Sequence, residues 1–328
     1  MNTQASYQPP YTISPAIVNL VAEISETVGR LSVLTDTVKN LRLRRINRIR
    51  TIQGSLAIEG NTLSEEQITA ILDGKRVIAP PREILEVRNA ITAYDCFKQW
   101  RPEVGTELQD AHRILMAGLI DNAGAYRRSD VGVMANGQVI HMAPPADRVP
   151  SLMHDLLKWL DASDQHPLIT SSVFHYEFEF IHPFADGNGR MGRLWQTLIL
   201  ARWNPLFTHV PVESLVHEHQ AEYYQALQKS TEQTDSMPFI EFMLKMILDA
   251  IASVTPQVKR LLEVLKGDMT REELQSALNL QDRKSFRERY LKPALAEGLI
   301  DMTLPEKPNS RLQQYRLTNK GRRWLQGT

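Results

Sequence analysis

The chain has 328 residues, 42% hydrophobic and 23% charged, with 38 Lys+Arg balancing 38 Asp+Glu and one cysteine, Cys96. That length implies two or three domains, since one core rarely grows past about 250–300 residues, and the apolar fraction excludes a wholly disordered chain. Neutral total charge excludes a uniformly basic coat for nucleic acid or membrane, and a lone cysteine excludes a disulfide scaffold.

The polar N-terminus has no apolar signal segment, and no run approaches about 18 uncharged apolar residues, so a cytoplasmic protein without membrane contact is expected. Helical patterning dominates and predicts a mainly α fold. From Ala16 to Leu34, residues Ile17, Leu20, Val21, Ile24, Val28 and Leu31 recur at three- and four-residue spacing after a first-turn Pro15. A second stripe, Leu43, Ile46, Ile49, Ile52 and Leu56, carries Arg44, Arg45, Arg48 and Arg50 mostly off it and stops at Gly60-Asn61. Further amphipathic stretches cover about 83–99, 107–118, 151–162, 171–181, 190–203, 217–229 and 238–253. Between them, Val131–Met134 and Val139–Met142 flank Asn136-Gly137, a strong hairpin signal that Pro144-Pro145 closes.

After Thr255-Pro256 the chain turns basic. Residues 256–328 hold 15 Lys+Arg and 9 Asp+Glu, a net of +6 that leaves −6 for residues 1–255. A domain boundary is therefore expected near Pro256. Beyond it lie a helix, a second helix opened by a Thr270/Glu273 capping box, and a third from Asp282 carrying Phe286, Tyr290 and Leu291. Two short strands at 299–303 and 314–317 and a closing helix at 320–325 complete an order that looks like a winged helix-turn-helix. Arg283, Lys284, Arg287 and Arg289 fall on its third helix, which suits protein contact first and DNA as the alternative.

The most informative segment is His182-Pro-Phe-Ala-Asp186-Gly187-Asn188-Gly189-Arg190-Met191-Gly192-Arg193, joining one helix to the next. A Gly-Asn-Gly turn feeding a helix N-terminus presents backbone N–H groups to an anion, and the helix dipole favours it. Arg190 and Arg193, three apart, share a helix face and suit more than one phosphate. Asp186 beside bound phosphates suits Mg²⁺, which takes one or two carboxylates plus phosphate oxygens. His182 is the imidazole of the run, the side-chain type that can take a proton from a nucleophile at neutral pH. These residues alone indicate phosphoryl- or nucleotidyl-type transfer with Mg²⁺ and leave the broken bond open. His112, His154 and His209 form no ligand-spaced cluster, so no zinc site is expected.

The segment resembles the Fic family signature H-x-F-x-[DE]-G-N-G-R-x-x-R at every fixed position, within a core running from about 101 to 245. The resemblance implies transfer of AMP from ATP to a Ser, Thr or Tyr hydroxyl of a protein. On that basis His182 is the general base, Asp186 holds Mg²⁺, and Gly187, Asn188 and Gly189 form the anion nest. Arg190 and Arg193 grip the outer phosphates, with Met191 and Gly192 in the same nucleotide-binding run. The family's Doc-like phosphotransferases usually depart from Gly-Asn-Gly-Arg, which this chain keeps.

Ser55-x-x-x-Glu59-Gly60 resembles the family's inhibitory motif, with Ser55 and Glu59 at i and i+4. By that resemblance Glu59 pairs with Arg193 and denies it to the γ-phosphate, and the same Glu in some relatives promotes AMP removal. The hairpin is similar to the family's flap, which makes Val139, Ile140 and His141 candidates for nucleotide and target contact. Tyr223 resembles a residue flanking adenine, although Thr231 stands where some relatives have Asn. The expected organisation is an N-terminal helical region at 1–100 with the inhibitory helix at about 38–61, a Fic core at 101–255 and a winged-helix domain at 256–328. Expected partners are ATP and a protein target, this chain itself among the candidates, with a homodimer and DNA as further ones. A DNA-binding regulator sensing nucleotide through its Fic core is the rival reading.

Overall fold

In the computed structural model the described residues are 7–34, 41–135, 138–253, 256–280, 282–296, 298–308, 310 and 312–326. The helices run α1 (Pro15–Leu34), α2 (Leu41–Ile58), α3 (Glu65–Leu72), α4 (Pro81–Cys96) and α5 (Gly105–Leu115). A hairpin of β1 (Gly132–Ala135) and β2 (Gln138–Met142) precedes α6 (Val149–Ala162), α7 (Pro167–Ile181) and α8 (Asn188–Trp203). Then come α9 (Val212–Glu218), α10 (Gln220–Gln233) and α11 (Met237–Ser253). The fold is mainly α, as the patterning predicts.

Local chemistry explains several of these ends. Ser14 starts α1 by accepting from the Ile17 amide at 3.1 Å, ahead of Pro15. Ser64 and Gln67 close a capping box around α3, a helix absent from the sequence reading although its Ser-x-x-Gln signature was there. The stretch read as one helix over 217–229 is two, α9 and α10, broken at His219 (φ −112°, ψ 36°). No Gly or Pro marks that break. It follows from tertiary packing, since α9 lies against α2 while Gln220, opening α10, donates to the Ile58 carbonyl at 2.9 Å.

The chain divides into two compact units, one of residues 1–25 and 35–248, the other of 26–34 and 249–328. In the first, α7 and α8 pack together at the centre. Residues 168–178 of α7 are all buried, and so is almost every residue of α8 up to Leu200. A helix apolar on all sides must be surrounded by others, and the amphipathic helices supply that cover. The hairpin strands are antiparallel and shift register between Val133 and Met134, where Ile140 is the extra residue opposite. No helix among the described residues is long and apolar enough to cross a membrane.

The second unit holds α12 (Pro256–Val264), β3 (Met269–Thr270), α13 (Arg271–Ala277), α14 (Arg283–Phe286), α15 (Lys292–Ala296), β4 (Ile300–Met302), β5 (Gln314–Leu317) and α16 (Asn319–Gln326). Its antiparallel sheet has the order β3-β5-β4, and Leu261, Leu262, Leu274, Phe286 and Tyr315 are in its core. The Thr270/Glu273 capping box forms as expected. The third helix does not run straight, because residues Arg287–Leu291 widen into a π turn. Pro293, two residues on, has no N–H to donate, and such ladders relax through π geometry. Arg283 and Arg287 are exposed, while the side chains of Lys284 and Arg289 lie outside the described ones.

Helix α2 owes its seat to Gly54. A Cβ there would come within 2.6 Å of the Ser214 amide nitrogen and 2.7 Å of the Glu213 carbonyl carbon on α9. Backbone cannot yield as a flexible side chain can, so Gly54→Ala is expected to destabilise the first unit by about 1–3 kcal/mol. Urea unfolding checks this, and an unchanged midpoint would show that α2 has slack against α9.

Candidate functional site

The loop of residues 182–187 between α7 and α8 is held in an uncommon shape. His182 ends α7 in the left-handed region (φ 50°), with its N–H on the Phe178 carbonyl at 2.9 Å. Buried Arg127 fixes that start: Nε donates to the His182 carbonyl at 2.8 Å, Nη2 to Ile181 O at 3.3 Å, and its backbone N–H to Pro183 O at 2.9 Å. The same guanidinium donates to Ser129 O and Pro144 O at the base of the hairpin.

His112 holds the far end. Its Nδ1 accepts from the Gly124 amide at 2.8 Å, which leaves the proton on Nε2 to donate to Asp186 O at 2.9 Å. Burial pushes its pKa down to about 4, so the ring stays neutral, stacked on Phe184 with centroids 3.6 Å apart. Asn188 closes the loop by donating to Phe184 O at 2.9 Å and accepting from Phe184 N at 2.8 Å. Gly187 (φ +83°) leaves no room for a side chain, since a Cβ would sit 2.6 Å from Met116 Sδ. Sequence reasoning missed Arg127 and the bracing role of His112, because their partners lie 55 and 74 residues away.

The first turn of α8 carries the phosphate candidates. Its leading N–H groups have no preceding-turn carbonyl within the helix, and the dipole places positive charge there. Arg190 and Arg193 are both buried, at 5% and 3% exposure. Arg190 Nη2 donates to Asp186 Oδ1 at 3.1 Å, and Nη1 lies 3.6 Å from Glu86 Oε1. Arg193 is held by α2: Nε donates to Ser55 Oγ at 3.2 Å, and Nη2 to Ser55 O at 2.9 Å and Glu59 Oε1 at 2.7 Å. Burial works against this guanidinium's charge, but Glu59 and neighbouring groups outweigh it and hold its pKa above the ordinary value. The Glu59 carboxylate also covers the nest, with Oε1 only 2.3 Å from where a Cβ on Gly189 would lie.

Other candidates land differently. Met191 is wholly buried, and the Asn188 side chain is spent on the loop, so both face inward. Gly192 makes room for Glu179, whose Oε1 would lie 2.8 Å from its Cβ. Burial pushes the Glu179 carboxyl up to about 8. Tyr223 is 2% exposed in an aromatic cluster, its hydroxyl 3.1 Å from His175 Nε2, so its ring offers no open face to a ligand. Neighbouring Tyr224 is the less buried of the pair. The side chains of Val139, Ile140 and His141 lie outside the described ones.

Asp186 is 40% exposed; its Oδ1 accepts from the Gly187 amide at 2.6 Å, and its Oδ2 lies 3.6 Å from Arg82 Nη2. No group of three or more His, Cys, Asp or Glu gathers among the described residues. A cation here would therefore need ligand oxygens besides Asp186, a donor set that fits Mg²⁺ held between one carboxylate and phosphates.

Residues 105–200 match the Fic/DOC family, and residues 256–318 match the C-terminal domain of Fic-like proteins described as "Filamentation induced by cAMP". Of solved structures, a Fic family protein from Desulfovibrio desulfuricans G20 is 53% identical with a TM-score of 0.74, covering 96% of this chain and 99% of that one. Fic-1 from C. elegans (residues 134–508) shares the fold at 24% identity and TM-score 0.59, covering 74% of this chain and 72% of that one. A protein adenylyltransferase Fic from Aedes aegypti is 31% identical over 229 residues, 65% of this chain and 43% of that protein. This chain thus spans less than half the length of that curated relative. The 53% identical match over nearly the full length of both chains, with the complete signature at the turn between α7 and α8, makes the chain a member of the Fic family.

Proposed function

We propose that this protein transfers AMP from ATP to a hydroxyl of a protein target, and that Glu59 restrains the reaction. The observation that supports this is the first turn of α8, where Arg190 pairs with Asp186, Arg193 pairs with Glu59, and the Glu59 carboxylate lies against Gly189. Relatives named protein adenylyltransferase support the choice of AMP over other transferred groups.

In this reading the target hydroxyl attacks the α-phosphorus while His182 takes its proton at a ring nitrogen. The new O–P bond forms as the bond to the leaving diphosphate breaks, with the two oxygens roughly in line. The first-turn amides of α8 bind the charge that builds on the phosphate oxygens. Mg²⁺ held by Asp186 would neutralise phosphate charge. Arg193 can receive the outer phosphate only when Glu59 leaves it, because the carboxylate occupies the Nη2 donor that the phosphate would take. Burial pushes the Glu179 carboxyl up to about 8 against the pull of the Arg193 charge, which leaves Glu59 as the hydrogen-bonded carboxylate on Arg193.

The wider organisation follows the same reading: residues 1–100 carry the restraining helix, 101–255 the core, and 256–328 a winged helix. The helices and three-stranded sheet of the second unit support the last assignment, and the exposed Arg283 and Arg287 suit a protein or nucleic-acid contact.

The central test compares labelling by α- and γ-labelled ATP. Label is expected from the α position only. Glu59→Gly should raise it roughly ten- to hundredfold, since a hydrogen bond between charged groups is worth about 1.5–3 kcal/mol. His182→Ala should lower it by about 10²-fold or more. Label from the γ position alone would overturn AMP transfer, and unchanged labelling in Glu59→Gly would remove the restraint.

Glu179 sets a pH dependence of stability. Its folded pKa of about 8 lies above the ordinary 4.5, so the folded state holds a proton that the unfolded state releases. Its contribution is complete below about 4.5 and is lost as pH rises towards 8, on the order of a few kcal/mol across that window. Glu179→Gln should gain stability relative to wild type between pH 5.5 and 8 in urea titrations; parallel pH profiles would mean that Glu179 is already ionised in the fold.

A further inference from the structure

The start of α4 sets two opposite charges against the nucleotide site. Arg82 Nη2 lies 3.6 Å from Asp186 Oδ2, on the opposite side of that carboxylate from Arg190. Glu86 Oε1, one helical turn on, lies 3.6 Å from Arg190 Nη1 and 3.5 Å from Arg82 Nε. The four groups alternate in sign: Arg82 between two carboxylates, and Arg190 between the same two.

Arg190 is buried and cannot lose its proton, so without phosphate it needs carboxylates around it. Asp186 supplies one through Oδ1, and Glu86 supplies the other. The outward oxygen of Asp186 takes Arg82 in turn. We propose that Arg82 and Glu86 are an intramolecular surrogate for a bound metal–phosphate pair: the guanidinium stands where a divalent cation would neutralise Asp186, and the carboxylate where a phosphate would neutralise Arg190. The proposal rests on the nucleotide-site reading above and adds two residues that govern metal and nucleotide affinity there.

Like charges make the exchange obligatory. A divalent cation on Asp186 faces the Arg82 guanidinium, and a phosphate on Arg190 faces the Glu86 carboxylate, so both side chains must give way. The pairs are suited to that, because at 3.5–3.6 Å they are loose ion contacts, and the Arg82 side chain is 59% exposed. Glu86 also reaches the restraining helix, since its Oε2 accepts from Asn61 Nδ2 at 2.8 Å, just past Glu59 and Gly60. The neighbouring Glu83 accepts from the Thr62 amide at 2.6 Å and hydroxyl at 2.9 Å, and its carbonyl accepts from Asn61 Nδ2 at 3.2 Å. Displacing Glu86 therefore removes one of several ties between α4 and the chain leaving α2.

The test is calorimetric binding of a non-hydrolysable ATP analogue to the full chain carrying Glu59→Gly, with Mg²⁺ or with EDTA. Arg82→Ala is expected to tighten binding about two- to fivefold with Mg²⁺ and not with EDTA, because its surrogate role is the cation's. Glu86→Gln, which keeps an acceptor for Asn61, should tighten binding by a similar factor in both. Arg82→Lys, which keeps the charge, should match the parent, and unliganded melting temperatures report whether each variant folds. Weaker or unchanged binding in folded Arg82→Ala and Glu86→Gln would overturn the surrogate while leaving the nucleotide site standing. A parent that binds no analogue under either condition would overturn the site reading and the surrogate with it.

Discussion

A guanidinium buried inside a helical core has to be answered, and Arg193 is such a group. It cannot neutralise itself by losing a proton, so the fold surrounds it with acceptors from α2: the hydroxyl and carbonyl of Ser55 and the carboxylate of Glu59. The seat of α2 follows from this demand. Gly54 lets the helix close on α9, the Ser214 hydroxyl donates to Arg50 O at 2.9 Å, and Gln220 takes the Ile58 carbonyl that the helix end leaves open. The charge that makes α8 expensive to bury is also the charge that the proposed phosphate contact would use.

The turn between α7 and α8 is imposed from outside. A non-glycine residue in the left-handed region is strained, and His182 stays there because Arg127 grips three backbone groups around it. His112 braces the other end as a neutral ring, which its burial ensures. Since Arg127 also binds Ser129 and Pro144, the foot of the hairpin and the start of the loop share one anchor, so a shift in either is felt by the other. Beneath the site, Gln196, His175 and Tyr223 form a buried relay, with His175 Nδ1 2.6 Å from Gln196 Oε1. Burial holds His175 neutral, its pKa pushed down to about 3.

What could be read in the sequence was local. The His182–Arg193 run, the Gly60 helix end, the hairpin signal and the Thr270/Glu273 cap each involve residues within about a dozen positions, and backbone rules act at that range. The Ser64/Gln67 box is equally local, yet apolar periodicity does not mark the eight-residue helix it opens. The break at His219 is invisible to helix patterning, which sees periodicity and is blind to a neighbour pulling a carbonyl; the π turn carries a local mark, Pro293, that periodicity does not weigh. Tyr223 shows the other failure: a ring at the expected position says nothing of which way it faces, and here it faces inward on His175. The roles of Arg82, Glu86, Arg127 and Glu179 had no sequence signal, since an isolated charged residue reads as a solvated one.

The sequence by itself therefore determined the family, the mainly α class and the α7–α8 turn, because spacing along one helix and one loop carries that information. It also showed that the neutral total hides −6 before residue 256 and +6 after it. Glu59 meets Arg193 across 134 residues of chain, the pairing that the family resemblance implies. Only the tertiary structure decided that Glu86 and Asp186 together surround Arg190. Such pairings depend on how helices pack in three dimensions, where burial removes water as a competitor and leaves each charge to the nearest opposite one.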